Sequence, residues 1–182
     1  MSKFCITLNP SFCNEWPRIK IEINNQCAWE GFVETVQELN LSFVLQEYNY
    51  IYVSYLNKHQ GPDQWDTLVD ADGKIIEDQY CIISNLRIAG SRCDFLVDQL
   101  PFKGNDGSEE YTLGFMSKKG HYCIEFPENV YQWIVTNRRK SLLGDDRRLS
   151  SLDYWTNYLG DTQDAKIKEL LNDIEHLLEQ FK

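Results

Sequence analysis

The sequence predicts a mainly β protein, an antiparallel sandwich of the jelly-roll type, with a helical C-terminal extension. Three observations carry that prediction. Short apolar–polar alternations recur through the first two-thirds of the 182 residues, turn signals separate them every ten or so positions, and helical periodicity begins only after Pro127. The expected division is a sandwich over residues 1–127 and a helical extension over 128–182, within the one-domain-plus-appendage range of a chain this long.

RIKIEI sets Ile19, Ile21 and Ile23 against Arg18, Lys20 and Glu22, the period of a half-buried strand. LNLSFVL sets Leu39, Leu41, Phe43 and Leu45 against Asn40, Ser42 and Val44, and YIYVSYL sets Ile51, Val53 and Tyr55 against Tyr50, Tyr52 and Ser54. YCIISNLRIAG and SRCDFLV read as two strands around an Ala89-Gly90-Ser91 turn. EEYTLGFMS and HYCIEF flank Lys118-Lys119-Gly120, a hairpin signal. In PENVYQWIVTNRRK, Val130, Trp133, Ile134 and Asn137 fall at helical spacing, with Pro127 and Asn129 as start signals. The last segment carries an apolar stripe of Ile167, Leu170, Leu171, Ile174, Leu177, Leu178 and Phe181. Two heptads do not hold an isolated coiled coil. This helix is therefore expected to pack on its own domain or on a partner, a second copy included, through Ile167, Leu170, Ile174, Leu177 and Phe181.

The formal charge of −10 argues against nucleic acid or an anionic membrane as the main partner. One basic island, RRKSLLGDDRR at 138–148, breaks the trend and reads as a solvated helix end or a local anionic contact. No stretch approaches a membrane span. Six cysteines form no C-x-x-C pair, and Cys5, Cys81 and Cys123 lie in apolar runs, where a thiol acts as a small hydrophobe. MSKFCITLNPS lacks the apolar run and cleavage site of a signal peptide, so synthesis in a reducing cytoplasm with free thiols is expected. No phosphate loop, dinucleotide fingerprint or nucleophile elbow occurs, and nothing selects a catalytic pair among 28 acids and three histidines. No enzyme activity is expected.

DQWDTLVDADGKIIED, residues 63–78, crowds six carboxylates and one lysine into sixteen positions. The atom types suit calcium, but the spacing is not that of an EF-hand, whose twelfth position here is Cys81. Asp72-Gly73 between TLV and KII reads instead as a two-residue hairpin turn, which leaves Asp66 and Asp70 unexplained.

Residues 17–90 resemble the small β-sandwich carbohydrate-binding modules that bind xylan-type polysaccharides through calcium. The resemblance runs through PRIKIEINN, a Trp29-Glu30-Gly31 turn, LNLSFVL, IYVSYLNK, Asp66-Thr67-Leu68-Val69-Asp70 and a strand ending in ISNLRIAG. In that family the strand before the loop commonly ends in an Asn-Asp pair, whereas here Asn57 is followed by Lys58. An ammonium supplies no ligand oxygen and repels a metal. The resemblance thus implies either calcium on a shifted set of Asn57, Asp66 and Asp70, or no cofactor, with Lys58 neutralising Asp66. The second is the leading expectation. A glycan would stack on nearby aromatics, for which Tyr50, Tyr52 and Trp65 are the candidates. The sandwich, the hairpin at 109–126 and the helical tail together are also similar to accessory virion proteins of tailed phages, such as decoration, neck or fibre-attachment components. That similarity implies a non-catalytic structural protein with protein partners, assembled into a virion. A calcium-dependent polysaccharide-binding module is the alternative.

Overall fold

A computed structural model describes residues 1–59 and 65–143. Asp63, the end of the basic island and the segment 161–182 expected to be a helix, with Ile167, Leu170, Ile174, Leu177 and Phe181, lie outside the described residues. Strands and helices are numbered in chain order. One sheet runs from edge to edge as β12 (Phe115–Met116), β8 (Tyr80–Ile88), β1 (Ser2–Ser11) and β4 (Gln37–Phe43), with β9 (Ser91–Arg92) also on β8. The other runs as β11 (Glu109–Glu110), β10 (Phe102–Gly104), β13 (Gly120–Pro127), β5 (Tyr48–Tyr55), β2 (Arg18–Ile23) and β3 (Gln26–Phe32). A separate hairpin joins β6 (Thr67–Val69) to β7 (Ile75–Asp78), and two helices, α1 (Phe95–Gln99) and α2 (Val130–Leu143), complete the described fold.

The two sheets share one core, and alternation decides which residues enter it. Ile19, Ile21, Ile23, Ile51, Val53 and Tyr55 are buried from one side, and Phe4, Ile6, Leu8, Ile83 and Ile88 from the other. A one-residue slip of β5 on β2 would expel Ile51 and Val53 and bury Tyr52 and Ser54, so the pairing Ile21↔Val53 is strongly specified. From α2, Val130 and Ile134 join the core, and the Trp133 ring lies 5.8 Å from that of Phe126. The predicted antiparallel sandwich is the observed one.

Several local expectations are corrected. Trp29-Glu30-Gly31 lies within edge strand β3, and the turn before it is Asn24-Asn25, both with positive φ. SRCDFLV gives only the two residues of β9 before the chain turns into α1. Asp94 accepts a hydrogen bond from the Leu86 amide at 2.6 Å, and Leu96 and Val97 point into the core. A short apolar run such as FLV does not distinguish strand from helix by period. Lys118-Lys119-Gly120 does not close a hairpin: β12 pairs with β8 in one sheet, while β13 pairs with β5 and β10 in the other. The chain crosses between layers there. Cys5 and Cys123 alternate away from the core and are only partly buried, whereas Cys13, Cys81 and Cys93 are buried. The Ala89-Gly90 turn stands as expected, with φ of 51° and 83° between paired Ile88 and Ser91.

Gly120 is required by space. A Cβ there would stand 2.3 Å from the Lys103 carbonyl oxygen and 2.6 Å from the Phe102 ring. Gly120→Ala is therefore expected to lower stability by about 1–3 kcal/mol in urea unfolding, the usual cost of overpacking. An unchanged midpoint would mean that β10 and β13 do not meet at this distance.

Burial pushes the thiol of Cys81 up to about 12 and that of Cys93 to about 11. The thiolate is the reactive form. In the folded protein at pH 8, the exposed Cys27 is expected to react with a thiol reagent within minutes. Cys81 and Cys93 should react only after denaturant is added, and mass spectrometry of the labelled peptides checks the order.

Candidate functional site

One end of the sandwich gathers the chain's unusual polar chemistry. The end of β1 pairs with the start of β8 (Ser11↔Tyr80), and the start of β2 pairs with the end of β5 (Ile19↔Tyr55). The β1–β2 connection, residues 12–17, therefore meets the long connection that leaves β5 and the residues that enter β8. Asn57 ties the first two together: its Oδ1 accepts from the Arg18 amide at 2.7 Å, and its Nδ2 donates to the Trp16 carbonyl at 2.9 Å.

Lys58, the next residue, turns inward and is 2% exposed. Its Nζ donates to the carbonyls of Asp66 (3.0 Å) and Gln79 (2.9 Å), to Thr67 Oγ1 (2.9 Å) and to Asp78 Oδ1. Asp66 Oδ1 stands 3.5 Å from the same nitrogen and has no hydrogen-bond partner among the described residues. Asp66 itself is fully buried, and its Oδ2 accepts from the His59 amide and lies 3.3 Å from His59 Nδ1. Thr67 Oγ1 donates in turn to Asp78 Oδ1 at 2.5 Å. Five oxygens from four residues thus surround one ammonium, two of them from the carboxylates of Asp66 and Asp78.

A further chain of hydrogen bonds links this cage to the core. The Tyr55 hydroxyl donates to Gln79 Oε1 at 2.8 Å, and Gln79 Nε2 donates to the Glu15 carbonyl at 2.8 Å. Burial, reinforced by the Asp66 charge, holds the Tyr55 hydroxyl well above the ordinary phenol range, so it remains a donor. Every bond here runs between segments distant in sequence.

The candidate calcium residues play separate parts. Asn57 holds two backbones together, Asp66 lies under Lys58, and Asp70 organises the hairpin turn. Asp70 Oδ1 accepts from the amides of Asp72 (3.0 Å) and Lys74 (2.8 Å), while Gly73, with φ of 80°, donates to the Asp70 carbonyl. The turn therefore spans residues 70–74, longer than the two-residue turn expected from Asp72-Gly73. Asp66 and Asp70 stand at opposite ends of β6, about 13 Å apart along an extended strand. Among the described residues, no group of three or more His, Cys, Asp and Glu side chains is placed to hold a metal. The residues present do not fit a calcium ion, because the ammonium of Lys58 fills the point where the oxygens converge.

The candidate glycan residues are also divided. Tyr50 and Tyr52 lie on the solvent face of β5, where the Tyr52 ring packs 5.6 Å from that of His121. Trp65 lies in the connection beyond the other end of β5 and is 41% exposed. Its ring pairs with that of His59 at 4.7 Å, and its carbonyl accepts from the Asn14 side chain. Phe12, 47% exposed, pairs with Trp16 at 4.8 Å on the neighbouring segment. Phe12, Trp16 and His59 escaped the sequence reading. The available signal was two aromatics within SFCNEWP, a polar stretch bounded by prolines, where no strand could bury them.

No family model and no curated protein matches the sequence. Two solved structures are similar to it. One is the selenomethionine form of vCBM60, reported with circular permutation as an evolutionary link between two families of calcium-dependent carbohydrate-binding modules. It is 11% identical over 68% of this chain and 89% of that one, with a TM-score of 0.45. The other is vCBM60 in complex with galactobiose, 15% identical over 65% of this chain and 95% of that one, with a TM-score of 0.41.

Removing one partner of a buried ion pair leaves the other charge uncompensated, at a cost of about 3–5 kcal/mol. Lys58→Met keeps the stem and deletes the ammonium, and is expected to lose that much in urea unfolding at pH 7. A loss below about 1 kcal/mol, the range of an exposed pair, would show that the cage is open to water.

Proposed function

We propose that this chain is a non-catalytic binding module that recognises a polysaccharide through the exposed rings at the loop end of its sandwich. The observation that carries the reading is the position of the His59–Trp65 pair. It stands directly on the buried Lys58–Asp66 cage, so the partly exposed rings rest on a firmly bonded base. Sugar rings present C–H groups on their faces, and these pack on the electron-rich face of an aromatic ring. Such contacts reward rings that are already ordered, because little side-chain freedom is lost on binding. Phe12 and Trp16 extend the aromatic surface on the adjoining segment. Binding of this kind needs no metal, which accords with the ammonium at the centre of the cage.

Native affinity electrophoresis against soluble polysaccharides, xylan and galactan among them, tests the reading. At least one is expected to retard the protein, equally in EDTA and in calcium. Trp65→Ala should abolish the retardation, while Tyr50→Ala should leave it unchanged. A protein retarded by no polysaccharide, or a Trp65→Ala variant that behaves as the parent, would sink the proposal.

A second reading, a structural protein that assembles with others in a tailed-phage particle, has the β6–β7 hairpin in its favour. Leu68, Val69, Ile75 and Ile76 are all exposed there on a two-stranded ribbon, beside Asp70 and Asp72. Apolar clusters of this kind commonly mark protein contacts. If this reading holds, Ile75→Ser with Ile76→Ser should abolish co-assembly in sedimentation and leave polysaccharide retention untouched.

A further inference from the structure

We propose that the Lys58 ammonium is the resident cation of a calcium-type oxygen site, built into the chain in place of a metal ion. Two main-chain carbonyls, one hydroxyl and two carboxylates converge on a single point, the mixture of hard oxygens that a divalent cation takes. Three features make this more than an ordinary buried ion pair.

The first is number. An ammonium has three protons to donate, yet four oxygens accept from Nζ and a fifth lies at 3.5 Å. The crowding is that of coordination around a charge. The second is charge. Asp66 and Asp78 bring two carboxylates to the one ammonium, the set that a single divalent ion would balance, and the His59 ring lies 3.3 Å from Asp66 Oδ2. The third is Asp66 Oδ1, fully buried and aimed at Nζ without a hydrogen bond among the described residues. A carboxylate oxygen left this way is poorly served by a donor of fixed tetrahedral geometry, whereas a metal ion would take it without directional demands.

Size is compatible with the exchange. Three of the oxygens stand 2.9–3.0 Å from Nζ and Asp66 Oδ1 at 3.5 Å, and calcium takes oxygens at about 2.3–2.6 Å, so the three would close in by roughly 0.5 Å and Asp66 Oδ1 by about 1 Å. Two of the three lie on Asp66 and Thr67, at the start of a separate two-stranded hairpin that is part of neither sheet. The chemical consequence is a loop whose order does not depend on metal supply. In the parent protein the covalently attached ammonium is present at unit occupancy, and chelators have nothing to remove. When the ammonium is deleted, the same oxygens become a vacant site for calcium.

The inference stands apart from the glycan reading, and its test does not use a polysaccharide. Thermal unfolding is followed in EDTA, in millimolar calcium chloride and in potassium chloride of equal ionic strength. The parent should melt at the same temperature in all three. Lys58→Ala should melt lower in EDTA and recover in calcium, by about 5–10 °C when calcium exceeds its Kd a hundredfold. Potassium should not restore it, and Lys58→Ala with Asp66→Asn should lose the calcium response. If Lys58→Ala is unfolded in EDTA, its near-ultraviolet circular dichroism should return on adding calcium. Three results would overturn the proposal: a parent stabilised by calcium, a Lys58→Ala variant that calcium neither stabilises nor refolds, or a recovery that potassium matches.

Discussion

A lysine ammonium buried among five oxygens is the constraint on which the loop end of this protein depends. Lys58 follows the end of β5, Asp66 and Thr67 begin the projecting hairpin, and Asp78 and Gln79 lead into β8. A single charge therefore ties the segment that leaves β5 to the two strands of the β6–β7 hairpin, which pair with each other through Thr67 and Asp78. Burying charge is costly, and partners must compensate it. That cost makes the arrangement specific, because any other path for the loop would leave Lys58 or Asp66 in the interior without its counter-charge. Gln79 passes the constraint on through Tyr55 to the core and through Glu15 to the β1–β2 connection.

The surface above the cage inherits that order. Asp66 Oδ2 binds the His59 amide, and the ring of His59 packs on Trp65. Rings that are already held in place lose little side-chain freedom on binding, and at His59 the hold comes from the buried carboxylate of Asp66. The exposed aliphatic residues of β6 and β7 belong to the hairpin whose ends, Asp66 and Asp78, hold Lys58.

The strand pattern was legible wherever one face of a strand met the core and the other met water. RIKIEI is read to the residue and YIYVSYL has every face right, although β5 begins two residues earlier at Tyr48, since a period of two assigns every side chain to a side. The reading faltered where that contrast fades. β3 is an edge strand with most of its residues exposed, and its sequence looked like a turn. β1 buries Phe4, Ile6, Thr7 and Leu8 around a bulge, which breaks the alternation in the longest strand of its sheet. Lys118-Lys119-Gly120 has the composition of a hairpin, but composition does not say whether the next strand returns beside the last or crosses to the facing sheet. The site was half legible. Lys58 and Asp66 were expected to neutralise each other and do so, while Asp78, Thr67 and the two carbonyls that complete the cage were not anticipated.

The sequence by itself determined the sandwich class and the core-facing side of strands such as RIKIEI and YIYVSYL, and it set Lys58 against Asp66 as a candidate pair. These are properties of local period and of charge, and both are written in neighbouring positions. Only the tertiary structure decided that Lys58 meets oxygens from residues 66, 67, 78 and 79, that Asp70 is spent on a turn, and that Trp65 joins His59 rather than Tyr50. Convergence of atoms from separate segments depends on how strands are ordered in two sheets, and strand order is a long-range property that no local period encodes.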